Sequence, residues 1–478
     1  MARSDTTCRH PPEAVQLSSP SRWHLISSSS WQFMSRRSRS ARRMGNAAPK
    51  LHSNCSDLMN SDLGLTCGFS WRSTRPNMPK DRFVDANPYP AVHVSEEERR
   101  QLVELVDGFV QDYFRKYEEF VVVSNRKVDE RRWDHVKSRN NIHIYTERSQ
   151  KDLKRNGVIP AEDPRSESPE NADDPEKELP VMLSVGTFVG EMDDLMFGVV
   201  NPTLDVMRIK ASYVHDLDSA AVLCPVVEPT EEEPFQSLVV KWMTIDVPLQ
   251  STNIVKCRDF VYIEATGILQ FANGDRVGYH LLHSIDFPLT KPLPNKIRGN
   301  LSVFGFFRQI EPNVIDNFAS GIVDPGGEIM RFLLIPTAAE ALLSATNYVY
   351  CGQMKKISWM LQRRHSAFAR QDQTHTKQEC IACGKKTTHG KLRGIGRSTC
   401  RLCYGRVCFP CKVRKRISFI ALDGRLLQRK ITFCAKCVII ATKCDAQEAA
   451  RDQAMGYEAY KALSSSSQSS TIESSMFD

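Results

Sequence analysis

Eight of the 15 cysteines lie between Cys380 and Cys437 as four pairs with one spacing: Cys380/Cys383, Cys400/Cys403, Cys408/Cys411 and Cys434/Cys437. A C-x-x-C turn presents two thiolates to one ion, and tetrahedral zinc takes four such ligands. Four pairs therefore make two zinc sites, a pattern that scattered thiols or disulfides would not repeat. The second and third pairs are only four residues apart. Such crowding favours cross-brace ligation, in which alternate pairs share an ion. Cys380, Cys383, Cys408 and Cys411 then hold one zinc, and Cys400, Cys403, Cys434 and Cys437 hold the other. His375 and His389 fall outside the spacing and are not expected as ligands. A segment with so little apolar content folds only with its metal.

The net charge of +8 is concentrated on this cluster. From Lys377 to Lys443 there are seventeen Lys and Arg against two acids, Glu379 and Asp423. A basic module of this kind attracts anionic surfaces, lipid headgroups or nucleic acid alike. The remaining cysteines, among them Cys224, Cys257 and Cys351, are scattered, which suits a reducing compartment rather than a disulfide framework. No uninterrupted apolar run approaches the ~18–20 residues that span a bilayer.

Upstream of the cluster, residues 85–370 read as one α+β unit. Ser95 and Glu98 form a capping box, and Leu102, Leu105, Val106, Phe109, Val110, Tyr113, Phe114 and Tyr117 then recur at helical steps. From Trp133 the period changes: Asn141–Thr146 alternates as a half-buried strand does, and Val181–Gly190 resumes as a strand before a short helix over Glu191–Val199. Further β-like runs are expected over Met207–Val214, Gln236–Ile245, Asp259–Leu269, Val277–Ile285 and Leu301–Ile310. Asn273-Gly274 supplies hairpin chemistry between two of them, so the sheet is expected to be antiparallel. One long helix is expected from Thr337 to about Arg370. A sheet gripping such a helix can enclose an apolar cavity.

Residues 1–84, with their Ser- and Arg-rich stretches, are expected to be disordered. A mitochondrial transit peptide, or a translation start at Met78, are the other readings of that leader. Residues 154–178 read as a disordered acidic insertion, and 446–478 as a short helix with a Ser-rich tail.

Lys241-Trp242, the run Cys257-Arg258-Asp259-Phe260-Val261-Tyr262, His283-Ser284-Ile285 and Ile297-Arg298-Gly299 stand in the order and at about the spacing of START lipid-transfer domains. The resemblance implies a helix-grip fold with a hydrophobic tunnel closed by the last helix, holding a sterol, phospholipid or ceramide. Arg258, Asp259, His283 and Arg298 are the candidate lipid-cavity residues. Asp259 and Arg258 read equally well as a sheet-stabilising ion pair, and His283 as a hydrogen-bonded sheet histidine. Phe304, Phe306 and Phe307 read as core or as cavity lining.

The cysteine spacing over about 377–443, with Arg406-Val407 before Cys408, resembles a FYVE-type zinc finger. That family implies a phosphatidylinositol 3-phosphate clamp built from a basic motif around the third cysteine and a preceding W-x-x-D. Here the motif reads Gly396-Arg397-Ser398-Thr399-Cys400-Arg401, with Ser398 and Thr399 in place of the histidines, and the tryptophan is missing. Arg397, Arg401, Lys412, Arg414, Lys415 and Arg416 remain as membrane or phosphoinositide candidates.

The fold class expected is α+β: a START-like helix-grip domain followed by a two-zinc cross-brace finger (375–445). No P-loop, nucleophile elbow or dinucleotide fingerprint is present. The function expected is non-enzymatic lipid binding or transfer in the cytoplasm, peripheral on endosomal membranes, with two zinc ions as cofactors. The expected partners are a lipid, an anionic membrane and a protein, without nucleic acid. The rival is an adaptor whose START-like fold is a scaffold and whose basic finger binds protein or nucleic acid.

Overall fold

The computed structural model describes residues 87–159, 179–214, 219–245, 256–287, 289–327, 331–368, 379–386, 398–421 and 424–465. The leader, most of the acidic insertion and the Ser-rich tail lie outside the described residues, as does Arg397.

Helix α1 (Glu96–Glu118) starts at Ser95, whose hydroxyl accepts from the Glu98 amide while Glu98 reaches back to the Ser95 N–H. Both ends of the box close, so two otherwise unpaired amides are satisfied. The helix runs through a π turn, Glu119–Val123, into strands β1 (Trp133–Arg139) and β2 (Ile142–Glu147), then a six-residue helix α2 (Gln150–Arg155). After the insertion come β3 (Val181–Val189), α3 (Met192–Val199), α4 (Leu204–Val214), β4 (Ser219–Val227), β5 (Ser237–Ile245), β6 (Arg258–Gln270) and β7 (Arg276–Ser284). A two-residue β8 (Ile297–Arg298), β9 (Asn300–Glu311) and β10 (Val314–Asp324) complete the sheet.

The strands lie in the order β1-β2-β3-β10-β9-β7-β6-β5-β4, and every pair on this path is antiparallel. Side chains alternate between the two faces. One face packs on α1: Tyr113 stacks on Phe304 with centroids 3.8 Å apart, and Tyr117 stacks on Phe306 at 5.5 Å. The buried Tyr117 hydroxyl donates to Asp316 at 2.8 Å. The other face meets α3, whose Leu195, Met196 and Val199 pack with Ile142, Met182, Phe307 and Ile315. The fold is α+β of the helix-grip type, with the C-terminal helices held on this inner face.

Two expectations change. Met207–Val214 is helical, not a strand. Thr203 caps it by accepting from the Val206 amide, and Met207, Ala211 and Val214 recur at one face with α-helical spacing. The alternation of Arg208, Lys210 and Ser212 with apolar neighbours imitates a strand. The long C-terminal helix is two helices, α5 (Arg331–Ser344) and α6 (Tyr348–Phe368), joined by a 3-10 turn at Ala345–Asn347. Ser344 and Thr346 bond back to the carbonyls of Ala341 and Leu343, which bends helices. The stretch Arg331–Arg363 has the length and mean hydropathy to cross a membrane, although polar residues such as Thr337, Glu340 and Asn347 interrupt it. Here α5 lies against β1–β3 and α6 against α3.

The α3/α6 contact is unusually close. A Cβ at Gly198 would sit 2.0 Å from the Tyr348 carbonyl oxygen, and one at Gly352 would sit 1.9 Å from that of Asp194. The two backbones therefore touch directly.

The cysteine segment forms short strands β11 (Ser398–Thr399) and β12 (Arg406–Val407), a hairpin β13 (Lys412–Ile420) and β14 (Leu426–Cys434), and helices α7 (Ala435–Lys443) and α8 (Ala446–Ser465). It packs on α6 and α4, and its Cys400, Leu402, Ile417 and Phe433 join the same apolar cluster as α3 and α6.

Gly352→Ala is expected to force α3 from α6 and cost on the order of 1–3 kcal/mol. Gly108→Ala, on an open face of α1 with nothing within 4 Å, is expected to stabilise by about 0.5–1 kcal/mol. Thermal melts of the two variants check the contrast.

Candidate functional site

Between the sheet's inner face and α5 lies a cavity of about 160 Å³. Its walls are apolar: Met243, Leu301, Val303 and Ala319 from the strands, Ala338 and Leu342 from α5. Asn201, Lys210, Glu264 and His280 also line it, together with Tyr348 at the start of α6. Strand parity explains the choice. In β6, Tyr262 and Glu264 face inward, and in β7 so do His280 and Leu282, because residues two apart share a face.

Glu264 organises the polar end. It accepts from Lys241 at 2.7 Å, Lys210 at 3.2 Å, His280 at 2.7 Å and Asn201 at 2.9 Å. Lys241 also donates to the Asn201 carbonyl at 2.7 Å. All five groups are buried. Burial pushes the Glu264 carboxyl upward, but the Lys210 and Lys241 charges and the His280 hydrogen bond overcome it and hold its pKa well below the ordinary range. Burial lowers the His280 pKa against the opposing pull of Glu264, so the ring is neutral near pH 7. The neighbouring Lys355, pushed down to about 8 by burial, donates to the Phe197 and Val200 carbonyls at the end of α3. Among the described residues the polar end thus brings one lysine, one carboxylate and a histidine to an otherwise greasy space, with Lys241 buried behind Glu264. Such a site suits an amphiphile: apolar body against the walls, polar group at the base.

The four residues expected to line the cavity stand elsewhere. Asp259 is on the opposite sheet face, where it accepts from Trp242 at 3.0 Å and Arg298 at 2.9 Å, with Tyr89 at 3.3 Å. His283 is on that face too, bonded to Ser302 at 3.1 Å and lying 4.3 Å from the Phe109 ring. Arg258 shares the inward parity but sits beyond the cavity's end, donating to the Lys256, Pro325 and Gly326 carbonyls. Asp259 pairs with Arg298 rather than with its neighbour, since adjacent residues in a strand point apart. Of the three phenylalanines, Phe307 faces inward; Phe306 belongs to the α1 face, as does the Phe304 ring, although Phe304 borders the cavity. The residues overlooked were Glu264, Lys210 and His280. The lone Glu264 in Val261–Ala265, with its partner the lone Lys241 in Leu238–Met243, is the signal for the site, because a charge in an apolar strand must find a partner.

The eight cysteines gather as two tetrads in the cross-brace pairing: Cys380, Cys383, Cys408, Cys411 and Cys400, Cys403, Cys434, Cys437, with the sulfurs of each within 4.8 Å of one another. Cys383 and Cys408 sulfurs are 3.7 Å apart, and Cys403 and Cys434 are 3.9 Å. Four sulfurs at ~2.3 Å from a tetrahedral ion lie ~3.8 Å from each other, so each tetrad fits one metal ion. Amide groups support the sulfurs: Cys408 N–H donates to Cys380 Sγ, and Cys437 N–H to Cys434 Sγ at the start of α7. Of the basic candidates, Arg401, Arg414 and Arg416 are exposed. Lys412 instead donates to Ser398, and Lys415 lies over the Tyr350 ring of α6.

No protein-family model matches the chain, and no curated protein does. Solved structures resemble part of it. Human StAR-related lipid transfer protein 5 aligns at 12% identity and TM-score 0.35, over 54% of this chain and 98% of its own. Human STARD10 aligns at 11% identity and TM-score 0.33, over 59% and 89%. A STAR-related lipid transfer protein from Xanthomonas axonopodis aligns at 14% and 0.30, over 46% and 98%.

Lys241→Met removes one of the two ammonium partners of the buried Glu264 and leaves Lys210, so it is expected to cost up to about 3 kcal/mol in urea unfolding. The sign with pH follows from the depressed Glu264 pKa. Its stabilisation is full above the ordinary carboxylate range and is lost only as pH falls through the much lower folded value. Weakening that depression in Lys241→Met is expected to move acid unfolding to higher pH.

Proposed function

We propose that the chain is a non-enzymatic lipid-binding or lipid-transfer protein whose START-like unit holds one amphiphile on Glu264, Lys210 and His280. The cavity carries the proposal: apolar walls under α5 with a buried charged base. Its volume of about 160 Å³ suits a ring or a short stretch of hydrocarbon, since an engineered apolar cavity of ~150 Å³ holds benzene. A whole lipid therefore requires α5 to move outward. The helix suits that role: Phe332 is 64% exposed, and Leu333, Leu334 and Ile335 are only half-buried, so its outer side is itself apolar.

In this reading the finger is FYVE-like and holds two zinc ions on its tetrads. It presents Arg401, Arg414 and Arg416 to an anionic membrane, on the cytoplasmic side and peripheral to endosomes. On β13 and β14 the cations Arg416 and Lys430 stand directly opposite each other, an arrangement that favours an anion between them. Each basic residue near an anionic bilayer contributes on the order of 1 kcal/mol.

Organic extraction of the purified chain followed by mass spectrometry is expected to yield one class of amphiphile. Ala319→Phe, which fills the cavity, should abolish its recovery while metal analysis still finds two zinc per chain. Equal recovery from both proteins would sink the cavity reading. For the finger, Arg414→Glu with Arg416→Glu is expected to reduce flotation with phosphatidylserine vesicles at least tenfold, and undiminished flotation would assign the membrane contact elsewhere.

A further inference from the structure

Two helices that border the cavity are also the seat of the cysteine finger. On α4, Lys210 faces the cavity. Two and three residues on, Ser212 meets Ser418 of β13 at 2.7 Å, and the Tyr213 hydroxyl accepts from the Ser418 amide at 2.7 Å. Two residues before Lys210, Arg208 donates to the Gly424 carbonyl of the β13–β14 turn at 2.7 Å. On α6, Tyr348 lines the cavity, with its ring 5.9 Å from His280 and 5.3 Å from the Lys210 ammonium. Two residues on, Tyr350 contacts Tyr213 and Lys415.

The seat is dry and ionic at its centre. Lys356, 2% exposed, pairs with Asp194 of α3 at 2.5 Å and donates to the carbonyls of Thr442 and Cys444, at 2.7 and 2.9 Å. Those carbonyls end α7, where a helix favours a cation. Two of these three partners therefore come from the finger. Around it Trp359 donates to Asp452 at 2.9 Å, Gln447 to Asp193 at 2.8 Å and Arg451 to the Glu231 carbonyl at 3.2 Å. In the finger, Cys400 and Cys434 lie in one apolar cluster with Tyr348, Met354 and Ile357.

We infer that the metal-bound finger buttresses the two helices that wall the polar end of the ligand cavity, so that metal occupancy of the tetrads and amphiphile occupancy of the cavity are thermodynamically linked. The inference rests on the cavity reading above and extends it. Without metal, the segment holding β13, α7 and α8 loses its frame. Lys356 then loses its two carbonyl acceptors, and α4 and α6 lose what buries their outer faces. Lys210 and Tyr348 are placed by those two helices. Linkage is reciprocal, so a bound amphiphile must tighten the metal by the same factor.

The test uses the full chain, zinc-loaded or stripped with a chelator, and a fluorescent fatty acid, dansyl-undecanoic acid. Stripping is expected to weaken the probe about five- to a hundredfold, a range usual for coupled sites, and saturating probe should tighten zinc by the same factor. Ser418→Arg supplies the second arm. Ser418 is 1% exposed and an arginine does not fit there, so the hairpin should lift while all eight cysteines remain. That variant is expected to retain two zinc and still lose probe affinity. Probe affinity indifferent to zinc overturns the linkage. If the zinc-loaded chain takes up no probe, the cavity reading fails by itself, and amide hydrogen exchange of α4 and α6 decides the wall. Protection that falls at least tenfold on stripping supports it, and unchanged protection overturns it.

Discussion

The backbone contact between α3 and α6 is the constraint on which the rest of the molecule hangs. Gly198 and Gly352 let the helices approach until carbonyl and Cα meet, and no larger residue can stand at either place. That contact fixes the axis of α6. Its start then carries Tyr348 into the cavity, its middle places Lys356 between Asp194 and the end of α7, and its later turns meet α8 through Trp359. An α6 displaced by one side chain would open each of these contacts in turn.

Charge burial follows from the same geometry. Glu264, Asp194, Lys241, Lys210, Lys355 and Lys356 are all nearly inaccessible to water. Each has partners that settle its charge: ammonium groups on a carboxylate, or helix-terminal carbonyls around an ammonium. Buried pairs contribute little net stability, yet breaking one is expensive. Satisfying all of them at once ties α3 to α6 and α4 to the sheet through named side chains.

Much of this was legible in the chain. Cysteine spacing anticipated the pairing of the tetrads, since a short separation between Cys403 and Cys408 leaves interleaving as the natural ligation. The capping box placed α1, alternation placed β2, and apolar runs bounded by turn signals placed β5, β6, β7 and β9, because strands covered on both faces read as continuous apolar runs. What escaped was decided by tertiary contact. Met207–Val214 alternates like a strand and folds as a helix because its Met207–Ala211–Val214 stripe has a core to meet. Ser344 and Thr346 break the last helix through side-chain bonds that propensity does not record. The cavity residues were misassigned because motif resemblance drew attention to Arg258, Asp259 and His283, whereas parity and position along the strand chose Glu264 and His280.

The pairing of β3 with β10 has a consequence for how the molecule is made. Ser184 and Asn317 are hydrogen-bonded across the sheet although 133 residues separate them. Closing so long a loop is entropically costly and slow, and contacts of this kind delay folding. During synthesis the first three strands must wait for β9 and β10 to emerge before the sheet can close across its middle. Helices α5 and α6 follow, and the cysteine segment emerges after them. Until then the inner face is an open apolar sheet, the condition in which nascent chains associate with one another. Chain order therefore brings the metal-binding segment to the core it shares with α6 only after the sheet and that helix are in place, so that metal is needed later than the sheet.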